Sequence, residues 1–256
     1  MTARPLLHGT APFLLVIALT ACTSSPTLSP APAQSSTPTD ILTPACSATS
    51  TPTPTPTPIP PITVCSPFMR HSLEELPGFI SWEFQMPTPG KDDGHHGVDF
   101  GHWSYGDEES MLGDPLQAVL PGKVAAAIAD RPPYGNLVML EVPYENLPPI
   151  LLERVPIPAG QSLYIVYAHL EYAPPQAIGE AVECGRELNR VGLTGFSGAP
   201  HLHFETRWGP PGVTFLSMAY YTGDATPLEM QNYETWRMGD SFHVFDPMLL
   251  LTPPAP

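Results

Sequence analysis

The sequence predicts a mainly β protein: a single antiparallel β domain with long inserted loops. Short apolar segments recur at 116–120, 123–129, 136–142, 163–169 and 202–207, rich in Val, Ile, Tyr and Phe and bounded by Gly, Pro or Asn. Long helical periodicity is absent, and the stretch 72–76 is the one short helical candidate. Two histidine motifs, His95-His96-Gly97-Val98-Asp99 and His201-Leu202-His203-Phe204-Glu205, read best as extended strands, because alternate residues then share a face.

Taken in order, the chain begins with Arg4, an apolar run over 11–21, and Cys22. A spanning helix needs about 20 apolar residues, so this run suits the hydrophobic region of a signal peptide, 1–21. Leu19-Thr20-Ala21-Cys22 looks like a bacterial lipobox, which implies cleavage before Cys22 and lipid on its sulfur. An ordinary signal peptide with an incidental cysteine is the alternative.

The next segment, 22–67, is dominated by Thr, Pro, Ser and Ala and contains the run Thr51-Pro52-Thr53-Pro54-Thr55-Pro56-Thr57-Pro58. It accounts for much of a composition with 36 prolines and only 14% charged residues. Such a stretch cannot bury a core and reads as an extended, disordered tether. The remaining 68–252 is long enough for one well-buried domain.

With Cys22 lipidated, three cysteines remain in an oxidising compartment, so at most one internal disulfide forms. Cys65 with Cys184 would staple the start of the domain to its body. Cys46 with Cys65 would only loop the tether, and all three unpaired is the third alternative. The formal net charge of −15 excludes a basic nucleic-acid footprint and gives no attraction to an anionic wall.

Chemically, His95, Asp99 and one of His201 or His203 would supply three metal ligands of the kind a catalytic zinc site uses, leaving a position open. Gly97 lies between two of them and leaves room beside the metal. Zinc in such a site polarises a carbonyl and lowers the pKa of water to about 7. Histidines outside the ligand set, including His169 of Tyr167-Ala168-His169-Leu170, have the right ordinary pKa for proton transfer.

These motifs, in this order, resemble the lysostaphin/LytM-type zinc endopeptidases of bacterial cell walls, whose pattern is H-x-G-x-D, Y-x-H-L and H-L-H-F-E. The resemblance runs from about Gly94 to Pro247. It takes in Gly113 to Ala118, Gly122-Lys123-Val124, Tyr134-Gly135-Asn136-Leu137-Val138, Gly192-Leu193-Thr194-Gly195-Phe196-Ser197 and Phe245-Asp246-Pro247. It implies a duplicated hybrid-motif β fold and one zinc ion held by His95, Asp99 and His203. His169 and His201 would then be the non-ligand catalytic residues. It further implies hydrolysis of peptide stems or cross-bridges of peptidoglycan; with the lipobox at Cys22, the expectation is an extracytoplasmic monomer anchored to a bacterial membrane and facing the cell wall. Two rival readings are a wall-binding regulatory module that activates another hydrolase and an enzyme for a non-wall peptide.

Three segments depart from a minimal domain of that kind: 101–112, 143–161 and 208–241, expected as irregular loops walling the substrate groove. Trp103, Tyr105, Trp208, Tyr220 and Tyr221 are candidates to line it. Strand alternation turns His96 away from the site. Asp92 and Asp93 read as a polar loop. Glu205 reads either as a carboxylate that orients a histidine or as a solvated, structural residue. His8, His71, His102 and His243 read as ordinary histidines.

Overall fold

A computed structural model describes residues 62–102 and 110–254. The signal peptide, Cys22, Cys46, His8, Trp103, Tyr105 and all but the last residues of the tether lie outside the described residues.

Among the described residues, ten strands carry the fold: β1 (Ile80–Trp82), β2 (Gly97–Phe100), β3 (Pro115–Gln117), β4 (Gly122–Arg131), β5 (Gly135–Pro143), β6 (Ser162–Ala168), β7 (Ala181–Val182), β8 (Glu187–Arg190), β9 (Leu202–Gly209) and β10 (His243–Phe245). Every pairing is antiparallel. The main sheet runs β1-β2-β9-β6-β5-β4-β7, with β10 also pairing to β9. The predicted fold class therefore holds. Four of the five expected segments match β4, β5, β6 and β9, whereas β3 is shorter than expected and leaves the main sheet to pair with β8.

Both faces of the sheet are covered, which explains why β5 and β6 read as nearly unbroken apolar runs. On one face Val98, Phe100, Val138, Leu140, Leu163, Ile165, Leu202 and Phe204 pack with Phe68, Phe79 and Leu116. On the other, Leu137, Met139, Tyr164 and Val166 pack against Phe215, Tyr233, Trp236 and Phe242. With Val98, Leu202 and Phe204 committed to the first face, alternation sends Asp99 and His203 to the second.

Two expectations need correction. The insertions are not simply irregular: 143–161 contains helix α1 (Pro149–Arg154), and 208–241 contains helix α2 (Pro227–Arg237). The Thr226 hydroxyl accepts from the Glu229 amide while the Glu229 carboxylate accepts from the Thr226 amide, and Pro227 occupies the first turn. The helical candidate at 72–76 is a turn followed by a 3-10 helix over Leu76–Phe79. A short helix α3 (Met248–Leu251) closes the described chain. Among the cysteine alternatives, Cys65 pairs with Cys184 across 119 residues.

Candidate metal centre and its cleft

Strand register builds the centre. In the β2–β9 ladder Asp99 lies directly opposite His203, and Gly97 opposite Glu205. A Cβ on Gly97 would sit 2.9 Å from His203 Cε1 and 2.5 Å from the Phe204 carbonyl oxygen. The space this glycine leaves is taken up by the His203 ring. His95 enters just before β2, fixed by a bridge to Gln85.

The donor atoms converge. Asp99 Oδ1 lies 3.1 Å from His95 Nε2 and 2.8 Å from His203 Nδ1, and the two ring nitrogens are 3.2 Å apart. One ligand atom from each of His95, Asp99 and His203 falls within 4.8 Å of the others, and all three residues are buried.

Each ring is oriented by its far nitrogen. His95 Nδ1 donates to the Glu83 carbonyl at 2.9 Å, which leaves Nε2 as the inward donor atom. His203 Nε2 points at Glu205 Oε2, 3.4 Å away, which leaves Nδ1 facing Asp99. Trp82 stacks on His95 with ring centroids 4.4 Å apart and planes 13° from parallel. Two imidazole nitrogens and one carboxylate oxygen, with an open side toward the cleft, form a donor set that fits zinc.

The electrostatics agree with a cation site. Burial raises the Asp99 carboxyl, but hydrogen bonds from His203 and His95 outweigh it and hold it far below the usual carboxylate range. Burial also lowers His203, yet hydrogen bonds to Asp99 and Glu205 raise it to about 9. The Asp99 carboxylate is thus ionised where a metal would sit.

His169 and His201 face the same cleft, their ring centroids 4.7 Å apart. His169 Nδ1 donates to the Thr194 carbonyl at 2.8 Å, and His201 Nδ1 donates to the Ala199 carbonyl at 2.8 Å. Each therefore turns Nε2 inward, and His201 Nε2 lies 3.4 Å from Asp99 Oδ2. His169 follows the last residue of β6 and adopts φ 61°, a left-handed conformation costly for a residue with a Cβ. Burial, together with the charges of His203 and His201, lowers its pKa to about 3, so the ring is neutral near pH 7.

The structure thus gathers all five sequence-predicted site residues. His96 is fully buried elsewhere, with Nε2 donating to the Asp93 carbonyl at 3.0 Å and Nδ1 contacting Arg207. Glu205, one of whose two readings was solvated, has no exposed surface. It accepts from Arg207 Nε at 2.6 Å and from the Tyr134 hydroxyl at 2.7 Å.

The cleft over this centre measures about 380 Å³. Its wall includes residues the sequence reading passed over, namely Trp82, Tyr233 and Arg237, together with Tyr134, read only as part of a strand match, and Asp92, read as a polar loop. The Thr226-x-x-Glu229 box with Pro227 was the available signal for the helix that carries Tyr233 and Arg237. Of the expected groove aromatics, Tyr221 lines the cleft, Tyr220 packs against the core, and Trp208 stacks on His243 away from it.

A scan against protein-family models and a search of curated proteins both find no match. Solved structures do align. The catalytic domain of the antimicrobial peptidase lysostaphin from Staphylococcus simulans is 22% identical, with 72% of this chain and 99% of that chain covered and a TM-score of 0.39. A zinc-containing peptidase from Vibrio cholerae is 24% identical over 50% of this chain and 32% of its own, with a TM-score of 0.31. This chain therefore spans about a third of the Vibrio protein. The catalytic domain of prophage-encoded EnpA from Enterococcus faecalis is 20% identical, with 57% and 91% covered and a TM-score of 0.36.

Proposed function

We propose that the chain is a zinc-dependent endopeptidase that hydrolyses peptide stems or cross-bridges of bacterial peptidoglycan. The observation that carries this reading is the convergence of His95, Asp99 and His203 donor atoms within 4.8 Å, at the floor of a cleft that His169 and His201 also enter. The ordered motif set of the sequence supports the wall peptide as substrate. In this reading residues 1–21 direct export, lipid on Cys22 anchors the chain outside the cytoplasm, and 22–67 is the tether of the domain at 68–252.

His95 Nε2, Asp99 Oδ1 and His203 Nδ1 would hold the zinc. When bound, zinc supplies a Lewis acid that polarises the scissile carbonyl and activates water. The protein's own groups then handle protons. His169 and His201 are each pinned at Nδ1 by a backbone carbonyl and present an Nε2 lone pair to the cleft. Either ring can accept a proton from the attacking water and return it to the leaving amine, and a protonated ring stabilises the developing oxyanion.

The test is digestion of purified sacculi of defined cross-link type, with mass spectrometry of the released fragments. Zinc-loaded protein should release peptides carrying new amino termini, and a chelator should stop the release. Absence of release from every cross-link type, beside an active wall hydrolase, would overturn the proposal.

A further inference from the structure

We infer that Arg237, on the inserted helix α2, is a positioning residue for the metal centre, clamping together the two chain segments that carry its histidines. The inference rests on the reading of His95, Asp99 and His203 as metal ligands. It concerns an element outside the motifs on which that reading was built.

The geometry is specific. Arg237 Nε donates to Asp92 Oδ1 at 2.7 Å, and NH2 lies 2.7 Å from the same oxygen. Asp92 stands three residues before His95. On its other side Arg237 NH1 donates to the Tyr134 hydroxyl at 3.3 Å and lies 3.5 Å from Glu205 Oε2, the oxygen that faces His203 Nε2. One guanidinium thus bridges the loop leading to His95 and the strand that carries His203. Its planar fork of donors suits two partners at fixed angles, which an ammonium cannot match.

Charge balance explains why the clamp cannot be idle. Asp92 and Glu205 are two carboxylates with side chains 8% and 0% exposed. Their cations are Arg237 and Arg207, the latter pairing with Glu205 Oε1 and lying over the Trp236 ring. Tyr221 and Tyr233 hydroxyls also donate to Asp92, at 2.8 and 2.6 Å. Burial raises the Asp92 carboxyl, but Arg237 and the two tyrosines outweigh it and keep it ionised. Removing Arg237 leaves one buried carboxylate in excess beside the metal ligands, and the loop before His95 loses its tie to β9.

The test is zinc affinity of the full chain, measured by competition with a chromophoric chelator, together with melting of the metal-free protein. Arg237→Gln should weaken zinc binding roughly 10- to 100-fold, the range for residues that hold ligands in place. Arg237→Lys should recover part of the loss. Asp92→Asn preserves shape and should weaken zinc binding in the same direction, which keeps the test valid if Arg237→Gln folds poorly. Glu234→Gln, an exposed change on the same helix, should leave affinity unchanged. Wild-type affinity in both Arg237→Gln and Asp92→Asn overturns the inference. A wild-type chain that binds no zinc overturns the metal reading itself.

Discussion

The two sides of the cleft are built by different rules. On the sheet side, Asp99 and His203 face each other across paired backbones, and an adjacent bridge to Gln85 fixes His95. On the other side, Tyr221, Tyr233 and Arg237 arrive from the 208–241 insertion, held by side-chain hydrogen bonds to Asp92 and by packing of Trp236 and Phe215 on the sheet. The difference teaches where change can be tolerated. A ladder sets ligand geometry through main-chain bonds that survive substitution of neighbouring side chains, whereas the inserted wall depends on the identity of each polar residue. Under the proposed function, the sheet would fix the chemistry and the insertion would tune the choice of substrate.

The sharpest way to break this contrast is at the sheet. Asp99→Ala or His203→Ala should leave no zinc after dialysis and no activity. His169→Ala and His201→Ala should keep zinc and lose about 10²- to 10⁴-fold in kcat, the usual contribution of a general acid or base. Metal analysis that finds zinc lost from His201→Ala and retained by His203→Ala would reverse the assignment.

A smaller effect tests the rim. Tyr221 on the inserted wall and Phe196 on the glycine-rich loop are 58% and 59% exposed at the cleft. Each aromatic contact with a substrate is worth about 1 kcal/mol, or roughly fivefold. Tyr221→Ala should raise KM several-fold and change the ranking of cross-link types, while Phe196→Ala should raise KM without changing the ranking. Equal shifts in ranking would spread selectivity over both sides.

The smallest effect concerns the helix cap. Hydrogen bonds from Ser217, the Thr226 backbone and Arg131 lower the Glu229 pKa to about 2. A carboxylate depressed in the folded state stabilises above its ordinary value near 4.5, and that contribution is lost as pH falls toward 2. Glu229→Gln should therefore cost about 1 kcal/mol at pH 7 by urea denaturation, with the gap from wild type shrinking below pH 4.5. A gap independent of pH would show that charge is not what holds α2 at its start.

The same contrast explains what could be read in advance. The period of two in a strand made His95, Asp99, His201 and His203 legible from spacing; His96 does lie apart from the ligands, but it precedes β2 and packs on Arg207, on the face that His203 shares, so alternation is not what removes it. Choosing His203 over His201 as ligand took a resemblance, because both lie on one face of the extended chain. That Gly97 leaves room for the His203 ring could not be foreseen, since cross-strand register brings the two together and register is not written in one strand. Helix α2 was missed because its buried residues are only Glu229, Tyr233 and Trp236, too few to show a stripe. Asp92 could not be recognised because its partner Arg237 stands 145 positions away and meets it only after folding.

The Cys65–Cys184 bond has a mechanical consequence. Tension applied along the chain ahead of Cys65 passes directly through sulfur to residue 184, bypassing everything in the closed loop between them. His95, Asp99 and His169 lie within that loop. A pull on the leading segment therefore bypasses β1 and β2 while the covalent link is intact. β2, with Asp99, and the segment carrying His95 thus stand outside the line of a load on that end of the polypeptide, whereas β9, with His203, follows residue 184 and remains in it.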